Sequence, residues 1–250
     1  MSRHNRETMD AYLLGDGALR PYPSEIVEIE SLPGRVSFAP GTYVVGAGDH
    51  LTPAGRAYVA QLASRLAACP GIRLLNHPAK TLTRFDLLAE LHRHGYARQR
   101  VARPNGDVAS LRFPVMVRSG ASHLGPLSPL LHSAGEVRGY VGRGVLLGYG
   151  MDDLMAVEYL DTSDAQGYFR KYAAYVVGGK ILARSLSIGR PWVLKYGGGE
   201  ASVVHANEEL EFVRTNPHEP QLAEIARIAR IEYGRVDYAV VNGRVNVWEI

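Results

Sequence analysis

A chain of 250 residues, 46% of them apolar, can bury a substantial core as one large domain or two to three small ones, and its single cysteine, Cys69, excludes an internal disulfide framework and fits a reducing, cytoplasmic setting. Its 28 Lys and Arg against 25 Asp and Glu give a net charge of +3, but the cations are scattered and not interleaved with aromatic residues, which argues against a nucleic-acid partner. No stretch approaches the roughly 18 to 20 apolar residues of a membrane-spanning helix, and the N-terminus leads into no apolar signal core, so a soluble protein without a membrane partner is expected.

In chain order, Ile26-Val27-Glu28-Ile29 and Thr42-Tyr43-Val44-Val45 read as short strands. Residues 53–68 form a helix, with Thr52 as N-cap before Pro53 and Pro70-Gly71 as its stop, and Ile72-Arg73-Leu74-Leu75 follows as a strand. This first region is a small α/β unit. Leu82, Phe85, Leu88 and Leu91 recur at helical spacing up to the stop at Gly95. A strand over 113–118 runs into the glycine-containing loop Ser119-Gly120-Ala121-Ser122-His123-Leu124-Gly125, and Ser133 caps a helix over 134–147. From Leu154 the pattern becomes strand-dominated: 154–159, then 169–177 and 180–188 joined through Gly178-Gly179. A helix over 221–231 precedes a last hairpin, 235–241 and 244–250, turning at Asn242-Gly243. The fold class is α+β.

That last hairpin carries the sharpest chemical signal. Asp237 near the start of one strand and Glu249 near the end of the return strand can bring two hard oxygen ligands to one Mg²⁺, which keeps phosphates and water in its remaining positions. A strict two-residue turn would pair Asp237 with Trp248 and put the acids on opposite faces. A three-residue loop with Gly243 in a left-handed bulge would instead pair Asp237 with Val247 and bring both acids to one face, and the bulge at Gly243 is the expectation. No nucleophile stands out: there is no Gly-x-Ser-x-Gly elbow, Cys69 reads as a packed thiol, and His92 and His94 point apart on their helix.

The succession of Val157-Glu158-Tyr159-Leu160, residues 169–184 with their central Gly-Gly, Arg235-Val236-Asp237 and Trp248-Glu249-Ile250 resembles the ATP-grasp superfamily from about Leu74 to the end. The resemblance implies an ATP-grasp fold behind a small N-terminal α/β domain, divided as 1–75, 76–153 and 154–250. It implies ATP and Mg²⁺ as cofactors and ligation of a small-molecule carboxylate to an amine or similar nucleophile through an acyl phosphate. The alternatives are an ATP-grasp kinase and a non-catalytic nucleotide-binding module. Asp237 and Glu249 would hold the metal. Glu158, with the backbone of Tyr159 and Leu160, would read adenine, and Asp161 or Asp164 would hold the ribose unless these are Asx-turn residues. Arg118, where many members carry lysine, and Lys195 would reach phosphates, while Arg184 and Arg235 would stabilise the transferring phosphoryl group. His123 reads as a plain loop residue, and of Arg170 and Lys171 at most one should face the cleft. The superfamily pattern continues past Glu-Ile with a further asparagine ligand, so a truncated parent or a site of two carboxylates and more water is expected. A homodimer is compatible with this reading.

Overall fold

The computed structural model describes residues 25–34, 37–46, 51–121, 125–195 and 198–250. The chain divides between Thr81 and Leu82 into two compact units.

In the first unit, the strands β1 (Gly41–Val44) and β2 (Ile72–Leu75) pair in parallel, linked by helix α1 (Pro53–Ala67). Thr52 caps α1 by accepting from the Gly55 N–H, and Val59, Ala63 and Leu66 supply its buried stripe. Two expectations fail here. The expected strand Ile26-Val27-Glu28-Ile29 is absent: residues 26–28 lie in no regular element and a 3₁₀ turn begins at Ile29, and the run finds no strand partner among the described residues. Cys69 is exposed just past the end of α1, so it is not a packed thiol.

The second unit holds two antiparallel sheets. One has the order β3-β5-β4, from Val101–Ala102, Leu154–Glu158 and Val115–Ser119. Helix α3 (Ala134–Leu146) covers one of its faces, where Val115, Val117, Leu154 and Ala156 meet Val137 and Val141. Ser133 and Glu136 form a reciprocal cap at its start, the serine accepting from the Glu136 N–H and the glutamate from the His132 N–H. The opposite face presents Met116, Met155 and Val157 to Leu88 of helix α2 (Arg84–Arg93).

The other sheet has the order β7-β6-β8-β9, from Lys180–Gly189, Phe169–Val177, Tyr233–Val241 and Arg244–Glu249. One face packs against α2, α4 (Val203–Thr215) and α5 (Glu219–Ala229) through Leu91, Phe212, Leu222 and Ile225. Helix α4 has no counterpart among the sequence expectations: it opens on two valines and buries only Phe212. The segment between α2 and β3 is bonded along β9, where the Val247 N–H donates to the Tyr96 carbonyl, Gln99 Nε2 to the Val247 carbonyl and Asn246 Nδ2 to Gln99 Oε1. Among the described residues no helix is long and apolar enough to cross a membrane.

Both glycine-bearing turns are tight. Val177 pairs with Lys180 across Gly178-Gly179, and Val241 with Arg244 across Asn242-Gly243, with positive φ at all four turn residues. Gly243→Ala, at φ +74 with open space around it, should cost about 1 kcal/mol through left-handed strain alone. Gly142→Ala, on the exposed side of α3 with nothing near an added Cβ, should stabilise by about 0.5 to 1 kcal/mol. Urea denaturation of the two variants checks both signs.

Candidate functional site

Between the two sheets of the second unit lies a cavity of about 520 Å³. Strand alternation decides what reaches it. From β4 come Met116 and Arg118, from the end of β5 Val157 and Tyr159, and from the four-stranded sheet Lys171, Arg235, Asp237 and Glu249. Leu88 and Trp192 complete an apolar end, with Tyr159 and Trp192 in edge-to-face contact at 5.6 Å, and Trp248 also lines the wall. Five cations (Arg118, Arg170, Lys171, Lys195 and Arg235) line it against two carboxylates, so the site is electropositive. An apolar slot that runs into a cationic end suits a planar base carrying a polyphosphate.

Asp237 and Glu249 are direct partners across β8 and β9 and therefore share a face. The route differs from the one expected. The Asn242-Gly243 turn is a strict two-residue turn, with no bulge at Gly243. Tyr238 pairs with Val247 and Asp237 with Glu249, so the extra residue is Trp248, at the far end of the hairpin. The bulge restores the common face that a regular ladder from this turn would have denied.

Each acid is held by two cations. Lys171 Nζ lies 2.7 Å from Asp237 Oδ2, and Arg235 Nε 2.7 Å from Oδ1. Arg118 Nη2 lies 2.7 Å from Glu249 Oε2, with Arg84 Nη2 at 3.6 Å. Burial pushes the Glu249 carboxyl up, but Arg118, Arg84 and Lys171 together hold it below its ordinary range. Asp237 is 1% exposed. Arg235 Nε, though close, lacks hydrogen-bond alignment to Asp237 Oδ1, so that buried oxygen keeps its lone pairs for another partner.

Several residues expected at the site lie elsewhere. Glu158 is buried on the opposite face of β5 from Val157 and Tyr159 and does not line the cavity. Its oxygens accept from the Arg112 N–H at 2.6 Å, from Arg100 Nε at 2.8 Å and from the Arg100 N–H at 3.1 Å. Burial raises its carboxyl, while the hydrogen bonds from Arg112 and Arg100 outweigh this and hold it low. Asp161 is exposed and Asp164 half-buried, and both close Asx turns, accepting from the Ser163 N–H and from the Gln166 and Tyr168 N–H groups. Neither lines the cavity, although Thr162 does. Arg184 also stands outside it: the register of β6 and β7 shifts at Ala173/Ala174, leaving Arg184 as the unpaired extra residue.

Arg118, Tyr159, Leu160, Lys195, Arg235, Asp237 and Glu249 are brought together on the cavity wall. The Tyr159 N–H is taken by the Pro114 carbonyl, so only other backbone groups of 159–160 can face a base edge. Arg170 and Lys171 both line the cavity, where at most one was expected, although their charged ends part, Arg170 to Glu208 and Asp164 and Lys171 to Asp237. His123 lies outside the described residues. Arg84, Gln99, Met116 and Trp192 escaped the sequence reading. Period-two spacing from Arg118 could have found Met116; nothing local marks the others.

No protein-family model matches the chain, and no curated protein matches it by sequence. Among solved structures, it is similar to the ATP-grasp ligase PsnB complexed with minimal precursor, at TM-score 0.57 and 12% identity, over 99% of this chain and 87% of that one. It also matches the D-alanine–D-alanine ligase from Bacillus anthracis complexed with ATP, at TM-score 0.47 and 14% identity over 76% of this chain and 61% of that one. A third match is the L-amino acid ligase from Bacillus licheniformis, at 0.41 and 14% over 78% and 52%. The chain thus spans less than two thirds of the last two proteins. The first comparison shows the fold: this α+β chain has the ATP-grasp fold.

Glu158 is a structural pin in this arrangement. Glu158→Gln should cost about 2 to 3 kcal/mol, since it removes a charged acceptor of several hydrogen bonds, while the folded fraction keeps its nucleotide affinity. The pH dependence has a fixed sign. With folded-state values below the ordinary 4.5, Glu158 and Glu249 contribute stability that is complete above that pH and is lost as pH falls through the folded value. The Glu158→Gln variant should therefore show a flatter acid limb in urea denaturation curves recorded from about pH 3 to about pH 6.

Proposed function

We propose that this chain is an ATP- and Mg²⁺-dependent ligase that joins a carboxylate to an amine or similar nucleophile through an acyl phosphate. The observation that carries the proposal is the pairing of Asp237 with Glu249 at the cationic end of a cavity whose other end is apolar. The cavity volume is in the range of small-molecule sites. The likeness of fold to the ATP-grasp ligase PsnB supports the same reading.

The residues present fit Mg²⁺. Two carboxylates share one face, and the buried Asp237 Oδ1 lacks a hydrogen-bond donor. Mg²⁺ is commonly held by one or two carboxylates with substrate phosphates and water. Asp237 and Glu249 would hold the ion, which when bound would neutralise charge on the phosphates.

The apolar end, with Met116, Val157, Tyr159 and Trp192, takes the base, and Leu160 contributes to the edge contact. Arg118 and Lys195 face the phosphates. Lys171 and Arg235 neutralise Asp237 here and offer the same charge to phosphate oxygens. A substrate carboxylate oxygen attacks the γ-phosphorus, the bond to the bridging oxygen breaks, and ADP leaves. The nucleophile then attacks the acyl carbon, and inorganic phosphate departs. Arg235 stabilises the transferring group. Arg184, off the cavity, has no part in that step.

A nucleotide-binding module without turnover is the second reading, favoured by the two cations that already neutralise each acid. Calorimetry of ATP with and without Mg²⁺ tests the site. Asp237→Asn should abolish the tightening by Mg²⁺, a loss of about tenfold or more in affinity, and unchanged Mg²⁺-ATP affinity in the variant would remove Asp237 from the metal site. ADP release on adding amino acids and short peptides separates the ligase from the binder.

A further inference from the structure

The face of the four-stranded sheet turned away from its helices runs on from the cavity to the β6–β7 hairpin, and beyond Arg235 its residues Tyr175, Val177, Leu182 and Tyr233 do not line the cavity. Tyr175, Val177, Leu182 and Tyr233 stand there at 38%, 40%, 50% and 46% exposure. The register makes them one patch: Tyr175 lies opposite both Leu182 and Arg235, and Val177 opposite both Lys180 and Tyr233. The solvated face of an antiparallel sheet ordinarily carries polar side chains, so two tyrosines, a leucine and a valine on adjoining positions mark a contact surface.

Two further observations define what it contacts. The patch is continuous with the cavity, because Arg235 belongs to both. The charged groups at its registered positions, Lys180 and Arg235, are cations, and a third, Arg184, stands 5.9 Å from the Tyr175 ring centroid with Nε 3.3 Å from the tyrosine hydroxyl. An apolar surface framed by cations complements an apolar anion.

We infer that this patch binds the body of the carboxylate substrate, an elongated acid whose reacting carboxylate lies at Arg235 and whose aromatic or branched aliphatic portion runs toward Val177 and Tyr233. The inference rests on the ligase reading given above. Same-face residues on a strand are about 6.6 to 6.8 Å apart, so the body must extend about that far past Arg235 to meet Tyr233. Acetate or a small amino acid does not reach.

The experiment uses the full chain and two probes, acetate and 4-phenylbutyrate, whose binding is followed by saturation-transfer NMR with and without Mg²⁺-ADP. Phenylbutyrate is expected to bind at least about tenfold more tightly than acetate. The Tyr175→Ser/Tyr233→Ser variant should lose that preference while its Mg²⁺-ATP affinity stays at the wild-type value. Equal binding of the two acids, or a preference that survives in the variant, overturns the inference. Leu182→Ser, a single exposed change, serves the same comparison if the double variant does not fold. Wild-type ATP calorimetry is read separately: absent ATP binding overturns the ligase reading, and the nucleotide-free NMR arm still decides whether the patch prefers the elongated acid.

Discussion

Two carboxylates on a hairpin can serve one ion only if the ladder puts them on the same face, and here a single inserted residue settles it. The tight Asn242-Gly243 turn fixes the register at one end of β8 and β9, and counted from there without interruption, Asp237 would meet Trp248. The bulge at Trp248 advances β9 by one residue, so Glu249 meets Asp237 and Trp248 also reaches the cavity wall. The cationic end is organised around that pair. Lys171 and Arg235 converge on Asp237, and Arg118 and Arg84 on Glu249. Arg84 is almost wholly buried and also donates to the Ser119 carbonyl, tying the exit of β4 to the end of β9.

Burial gives the carboxylates of this unit different work according to the face they occupy. Asp237 and Glu249 face the cavity, each paired with cations there. Glu158 faces away, and its hydrogen bonds fasten the segments at Arg100 and Arg112 to the end of β5. Asp153 acts similarly at the glycine-containing loop, bonding the Ser119 hydroxyl and the Ala121 N–H. The cavity is thus framed by buried polar contacts whose members are largely satisfied, an arrangement that fixes geometry more than it adds net stability.

Much of this is legible in the sequence. Caps at Thr52 and Ser133, stops at Gly71 and Gly95, and the glycine turns at 178–179 and 242–243 are local signals with local causes, and the elements they bound are present. The order of motifs carried the ATP-grasp fold, and seven of the expected site residues line one cavity. Alternation on β5 was legible too: with Val157 and Tyr159 facing the cavity, Glu158 has to face the other way. Glu158 and Arg184, placed at the site by the order of motifs, lie off the cavity because of the strand geometry around them.

What the sequence determined by itself was the type and order of elements and the two acids at the ends of a hairpin, because capping, turn chemistry and period-two patterning act within a few residues. What only the tertiary structure decided was which side chains meet. The bulge sits at Trp248, next to Val247, which is bonded to Tyr96 and Gln99 from about 150 residues away along the chain, and a local pattern does not carry such contacts. Of the partners of Asp237 and Glu249, only Arg235 is local, two residues before Asp237 on β8; Lys171, Arg118 and Arg84 come from three other elements, and their convergence on the acids is set by the tertiary structure.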